Sequence, residues 1–147
     1  MVEPGASSAP LLHHVGNVVK SIADMAEDFA RSIDASWSGE IIHDSPREAR
    51  VALFRVGGPW NPEVELVEPA GEHSPLHKFL ARGGGLHHLC CAVNNLGLEL
   101  TKSRKRGGLI VKNPLPAVAF GGRRIAWVYT RQKLLLEYLE LTSRNLG

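Results

Sequence analysis

Two histidine pairs give this sequence its first chemical signal. His13-His14 leads the apolar run Val15-Gly16-Asn17-Val18-Val19, and His87-His88 leads Leu89-Cys90-Cys91-Ala92-Val93, displaced by 74 positions. Each pair is followed at nearly the same distance by an acidic residue set among apolar ones. Glu65 in Val64-Glu65-Leu66-Val67 lies 51 positions after His14, and Glu137 in Leu135-Leu136-Glu137-Tyr138-Leu139 lies 49 after His88. An ionised carboxylate in an apolar strand carries a desolvation cost of several kcal/mol unless it is paired, hydrogen-bonded or ligated. Two imidazoles and two carboxylates around one divalent cation remove that cost for both glutamates. Mixed nitrogen and oxygen ligation suits Zn, Ni, Co, Mn or Fe(II) without ranking them. A six-coordinate ion held this way keeps two positions for water or for two substrate oxygens.

The elements that must position these groups follow from the pattern around them. Side chains alternate across a strand, so His14 shares a face with Gly16 and Val18, while His13 shares the other with Val15 and Asn17. A slip of one residue would make His13 and His87 the ligands instead. His14 and His88 are preferred because they begin the unbroken apolar runs. After the first strand, Ser21 can cap a helix in which Ile22, Met25, Ala26, Phe29 and Ile33 recur at helical spacing, to about Ser36. Trp37 to His43 and Arg50 to Val56 read as strands, before Gly57-Gly58-Pro59 breaks the chain ahead of the Glu65 strand. The second half repeats the order: a helix from Leu96 to Arg106 ended by Gly107-Gly108, then strands at 109–112, 123–129 and 133–141. Ser74-Pro75 opens a short helix between the halves. The expected organisation is a loose tail over 1–10, a βαβββ module over 11–70, a connecting helix over 71–84 and a second module over 85–142. If each half curls around the same concave side, the four residues converge there. Glu63, Glu68 and Glu140 are read as solvated, and His43, His73 and His77 as surface residues.

Composition narrows the classes. Charged residues make up 22% of the chain and the net charge is only +2 with His neutral, too small to argue for nucleic-acid binding. Cys90 and Cys91 are adjacent on a strand and point apart, so no disulfide framework is expected, and a reducing, cytoplasmic setting follows. No apolar run has the length to span a bilayer, and the first ten residues lack a secretory apolar core.

Taken together, the repeat and the segments HHVGNVV, VELVEP, GLHHLCCAV and LLLEYLE resemble the vicinal-oxygen-chelate superfamily of glyoxalases, bleomycin-resistance proteins and dioxygenases. The similarity runs from Leu11 to Leu141 and is greatest to the methylmalonyl-CoA epimerase and glyoxalase I branch, particularly over Glu65-Leu66-Val67-Glu68-Pro69, Ser74 to Leu80 and Gly85 to His88. The resemblance implies an α+β fold, two βαβββ modules forming a cup-shaped mixed sheet with helices on its convex side, and a homodimer. It assigns His14, Glu65, His88 and Glu137 to one divalent metal ion. The implied activity is that of an isomerase or lyase removing a proton alpha to a carbonyl through a metal-stabilised enolate, on a small carbonyl or acyl-CoA substrate. Glu137 is the first choice of base, with Glu65 beside it. Epimerases carry a further base before the third strand, where Glu48 stands one position out of register. Thr130-Arg131-Gln132-Lys133 replaces an expected Gly-rich turn. Arg104, Lys105, Arg106, Arg123 and Arg124 are either CoA-phosphate contacts or solvated ends of elements. A non-catalytic drug-sequestering module, a glyoxalase I-like enzyme and a divergent biosynthetic enzyme are the alternatives on the same scaffold.

Overall fold

The strand and helix boundaries come from a computed structural model that describes residues 9–141. The expected tail over 1–10 therefore falls largely outside the described residues, as does residue 142. The described chain divides into two compact units, with the divisions inside two strands, at His13/His14 and His87/His88. Each unit is a small α+β module.

In the module spanning His14–His87, strand β1 (Leu11–Val18) leads into helix α1 (Ile22–Ser32). Ser21 caps α1 through its side chain, which accepts from the Asp24 amide at 3.3 Å, as the sequence predicts. Ile22 and Ala26 are buried, and Met25 and Phe29 pack beside them against Phe54 and Leu66. The helix stops four residues before Ser36. Asp34 takes a left-handed φ of 53°, and the Ala35 and Asp34 amides return to the Ala30 and Arg31 carbonyls at 2.8 and 3.3 Å, which closes the last turn. The strand expected over 37–43 is split into β2 (Ser36–Trp37) and β3 (Ile42–Asp44), because Gly39 at φ 88° turns the chain between them. Strands β4 (Ala49–Arg55) and β5 (Glu63–Pro69) complete the module, followed by helix α2 (Leu76–Ala81). Pro75 occupies the cap of α2, and the Leu76 amide donates to the Ser74 hydroxyl at 3.3 Å. The strand order is β2-β4-β5-β1, with β3 also on β4; β1 and β5 are parallel and the other pairs antiparallel.

The second module repeats the plan with β6 (Gly85–Val93), α3 (Leu96–Lys105), β7 (Leu109–Pro116), β8 (Arg124–Tyr129) and β9 (Leu135–Glu140). Asn95 caps α3, its side-chain oxygen accepting from the Leu98 amide at 3.0 Å. The order is β6-β9-β8-β7, with β6 parallel to β9 and antiparallel pairs beyond. Leu96 and Leu100 of α3 pack on Val93, Ala126, Val128 and Tyr138. Strand β7 runs on past the expected Lys112 through Pro114. It is the last strand in that order, and its pairing with β8 shifts register on both sides of Lys112, so the missing proline N–H is tolerated. Cys90 and Cys91 are thiols and are not joined in a disulfide. Among the described residues no helix is long and apolar enough to cross a membrane.

Candidate metal site

Packing decides which way the key side chains point. In the first module Val64 and Leu66 of β5 join the cluster under α1, so Glu65 between them faces the opposite side of the sheet. In the second, Leu136 and Tyr138 of β9 join the cluster under α3, so Glu137 is likewise turned away from the helix. Both glutamates are fully buried.

A histidine meets each carboxylate. His14 Nε2 stands 3.4 Å from Glu65 Oε1, and His88 Nε2 stands 3.6 Å from Glu137 Oε1, all four side chains being at most 2% exposed. The two modules build this in the same register. Glu65 pairs with Gly16 across parallel strands, two residues after His14; Glu137 pairs with Cys90, two residues after His88. The neighbouring histidines take other roles. His13 is half-buried with its ring edge-on to Phe120 at 5.4 Å, and His87 is half-buried and edge-on to Phe79 at 4.8 Å. It is therefore His14 and His88 that lie beside carboxylates. His43, His73 and His77 are exposed, and His77 bonds the Gly71 carbonyl at 2.8 Å.

The donor chemistry suits a cation. Separations of 3.4 and 3.6 Å are long for the charge-assisted hydrogen bonds that buried ions make, about 2.7–2.9 Å. They are close to the edge between two ligands each about 2.1 Å from one ion, roughly 3.0–3.4 Å. Imidazole nitrogen and carboxylate oxygen are the donors such an ion takes.

Two features went unnoticed in the sequence. A 3-10 turn at Ser45–Arg47 sends the Arg47 side chain inward, where only 7% is exposed. Its Nε donates to Asp44 Oδ2 at 2.8 Å, and Nη2 lies 3.9 Å from Glu65 Oε2. Glu48, the expected additional base, follows that turn with φ 51° and an exposed side chain. In this turn it is Arg47, and not Glu48, that reaches the Glu65 carboxylate. The available signal was an Asp and an Arg three positions apart across a proline turn. The second feature is Trp127, paired in register with Glu137 and edge-on to the His88 ring at 4.7 Å. Leu53 holds the corresponding position opposite Glu65.

The reading of Glu140 as solvated is corrected. It is 4% exposed, and Arg124 forks onto both its oxygens at 2.9 and 2.7 Å. The hydrogen bond to Glu140 raises the Arg124 pKa above its ordinary value. Arg123 donates to the Phe120, Glu140 and Leu141 carbonyls. Both arginines are thus tied into the second module, whereas Arg104, Lys105 and Arg106 are exposed at the end of α3.

A family model for the glyoxalase/bleomycin resistance protein/dioxygenase superfamily matches residues 13–127. The chain belongs to this superfamily. Among its members, the ethylmalonyl-CoA/methylmalonyl-CoA epimerase of Cereibacter sphaeroides is 24% identical over 82% of this chain and 88% of its own length. The mitochondrial methylmalonyl-CoA epimerase of Mus musculus is 28% identical over 65% of this chain and 52% of its own. The crystal structure of methylmalonyl-CoA epimerase from Mycobacterium tuberculosis superimposes with a TM-score of 0.81 at 24% identity, covering 99% of this chain and 96% of that one. A variant of the Streptomyces coelicolor epimerase, solved with 2-nitronate-propionyl-CoA, superimposes with a TM-score of 0.77 at 18% identity over 92% and 96% of the two chains. The vicinal-oxygen-chelate fold that the resemblance implies is therefore the fold of this chain.

Proposed function

We propose that this protein is a divalent-metal-dependent epimerase acting alpha to the carbonyl of an acyl-CoA, of the methylmalonyl-CoA type. The observation that carries it is the duplicated pair: each module buries one imidazole and one carboxylate at ligand-to-ligand distance, on the face away from its helix. Superfamily relatives named as methylmalonyl-CoA epimerases support the substrate class.

In this reading His14, Glu65, His88 and Glu137 together hold one ion. When bound, the ion supplies Lewis-acid stabilisation of the negative charge that develops on a substrate carbonyl oxygen. The remaining work falls to the chain. Glu137 takes the proton alpha to the carbonyl with a carboxylate oxygen that is not holding the ion, and Glu65 is the second carboxylate able to return one. Burial keeps water from competing for that proton. Trp127 braces the His88 ring and sets apolar surface beside Glu137 in its module, as Leu53 does beside Glu65 in the other.

The test combines composition with chemistry. Protein purified without added metal is expected to carry about one divalent ion per chain, lost in His14→Ala and in Glu137→Ala. In deuterium oxide it should wash solvent deuterium into the alpha position of methylmalonyl-CoA. Metal uptake without exchange removes the epimerase assignment and leaves another enzyme of the superfamily. Metal-free protein that still binds small molecules makes it a sequestering module.

A further inference from the structure

Resting on the metal reading above, we infer that Arg47, anchored by Asp44, is a positioning residue that fixes which oxygen of Glu65 faces the ion and so keeps one coordination position open for substrate.

The geometry divides the two oxygens of one carboxylate between two partners. Oε1 is turned to His14 at 3.4 Å, whereas Oε2 is turned to the Arg47 guanidinium at 3.9 Å. Arg47 is not a swinging surface arginine. Its side chain is 7% exposed, and the 2.8 Å bond from Nε to Asp44 Oδ2 fixes the plane of the guanidinium. Asp44 is fully buried at the end of β3, paired in register with Ala49 of β4, so the anchor itself belongs to the sheet. A positive charge held beside Oε2 keeps that oxygen's electron density away from a cation on the His14 side. Glu65 then offers one oxygen. Without Arg47, the carboxylate is free to rotate and offer both, which occupies a position that a substrate with two vicinal oxygens needs.

The same arrangement balances charge. Asp44 and Arg47 cancel one another, leaving the group they form with Glu65 one net negative charge; a second arginine there without an aspartate would repel the ion, and removing Arg47 alone would add a buried negative charge. The pair therefore supplies orientation to the site at no net change in its charge.

The experiment uses Co2+ as the metal probe and oxalate as a ligand that must bind through two oxygens. Co2+ affinity is measured by chelator competition, and oxalate affinity from the change in the visible Co2+ absorption. Because Arg47→Met strands Asp44, the double variant Asp44→Asn/Arg47→Met is measured beside it. Wild type is expected to take one Co2+ per chain and to bind oxalate. Both variants should hold Co2+ at least as tightly as wild type, while their oxalate dissociation constants rise about tenfold, and Arg47→Lys should recover part of the loss. A purely structural arginine gives the reverse pattern: Co2+ affinity falls and oxalate follows only in proportion. That result, or unchanged oxalate affinity, overturns the inference while leaving the metal reading intact. Failure of wild type itself to bind Co2+ overturns both.

Discussion

Replacing Glu137 by glutamine separates a metal ligand from a structural ion-pair partner, because the two roles move stability in opposite directions. Glu137 is fully buried and its Oε1 stands 3.6 Å from His88 Nε2, long for a charge-assisted bond. If the carboxylate exists to hold an ion, then in metal-free protein its burial is compensated less well than when the ion is bound, and glutamine of the same shape lowers that cost. Chelator-treated Glu137→Gln should therefore be no less stable than chelator-treated wild type. Metal then reverses the ranking. At a concentration one hundred times the dissociation constant, an ion that binds only the folded state adds about 2.7 kcal/mol. For a chain of this size each kcal/mol moves the midpoint by about 2–4 °C, so wild type should gain about 5–11 °C. A variant whose affinity has dropped a hundredfold gains about 0.4 kcal/mol at the same concentration, or roughly 1–2 °C. Thermal unfolding by circular dichroism, with and without chelator, reads all four states. Loss of about 3–5 kcal/mol in the chelated variant would refute the reasoning, since that is the cost of breaking a buried ion pair by removing one partner.

Further changes test the scaffold itself. Phe54 is fully buried, stacked on Trp37 at 5.5 Å and edge-on to Phe29 at 5.1 Å, so Phe54→Ala should cost about 3–5 kcal/mol in urea unfolding. Gly84 has a φ of 69°, and a Cβ there would sit 2.7 Å from the Val18 carbonyl oxygen; Gly84→Ala should cost about 1–3 kcal/mol, against less than about 0.5 for Gly58→Ala, where the space is open and φ is ordinary. Glu140→Gln breaks the fork from Arg124 and should cost about 1–3 kcal/mol by the same measurement, without altering metal uptake.

What the sequence made legible is what periodicity controls. Alternation along β1, β5, β6 and β9 gave the faces, and the near-equal spacing of His14 to Glu65 and of His88 to Glu137 gave the repeat; both reappear as matched strand registers. Features set by single torsions were not legible. The end of α1 depends on Asp34 entering the left-handed region, and the break between β2 and β3 on Gly39 doing so. Arg47 was invisible for the same reason. A 3-10 turn, not a strand alternation, decides that Arg47 points in and Glu48 out, so counting faces from β4 gave no guide to either. Glu140 was misread because a polar residue closing an apolar strand looks solvated until its partner is known, and Arg124 sits 16 residues away.

The duplicated register also says where divergence between the modules is physically permitted. His14, Glu65, His88 and Glu137 are fixed by backbone pairing, and moving any of them by one residue would turn it toward a helix. Positions beside them carry no such constraint. Gly16 in one module corresponds to Cys90 in the other, and Leu53 to Trp127, each pair facing the respective glutamate in register. The first module sets a small residue, an aliphatic side chain and a guanidinium around its carboxylate; the second sets a thiol and an indole. Two carboxylates placed by the same backbone rule thus stand in unlike surroundings, one beside a fixed cation and the other against an aromatic edge. The proposed division of labour, proton removal by Glu137 and a steadier ligand role for Glu65, draws on that difference in surroundings.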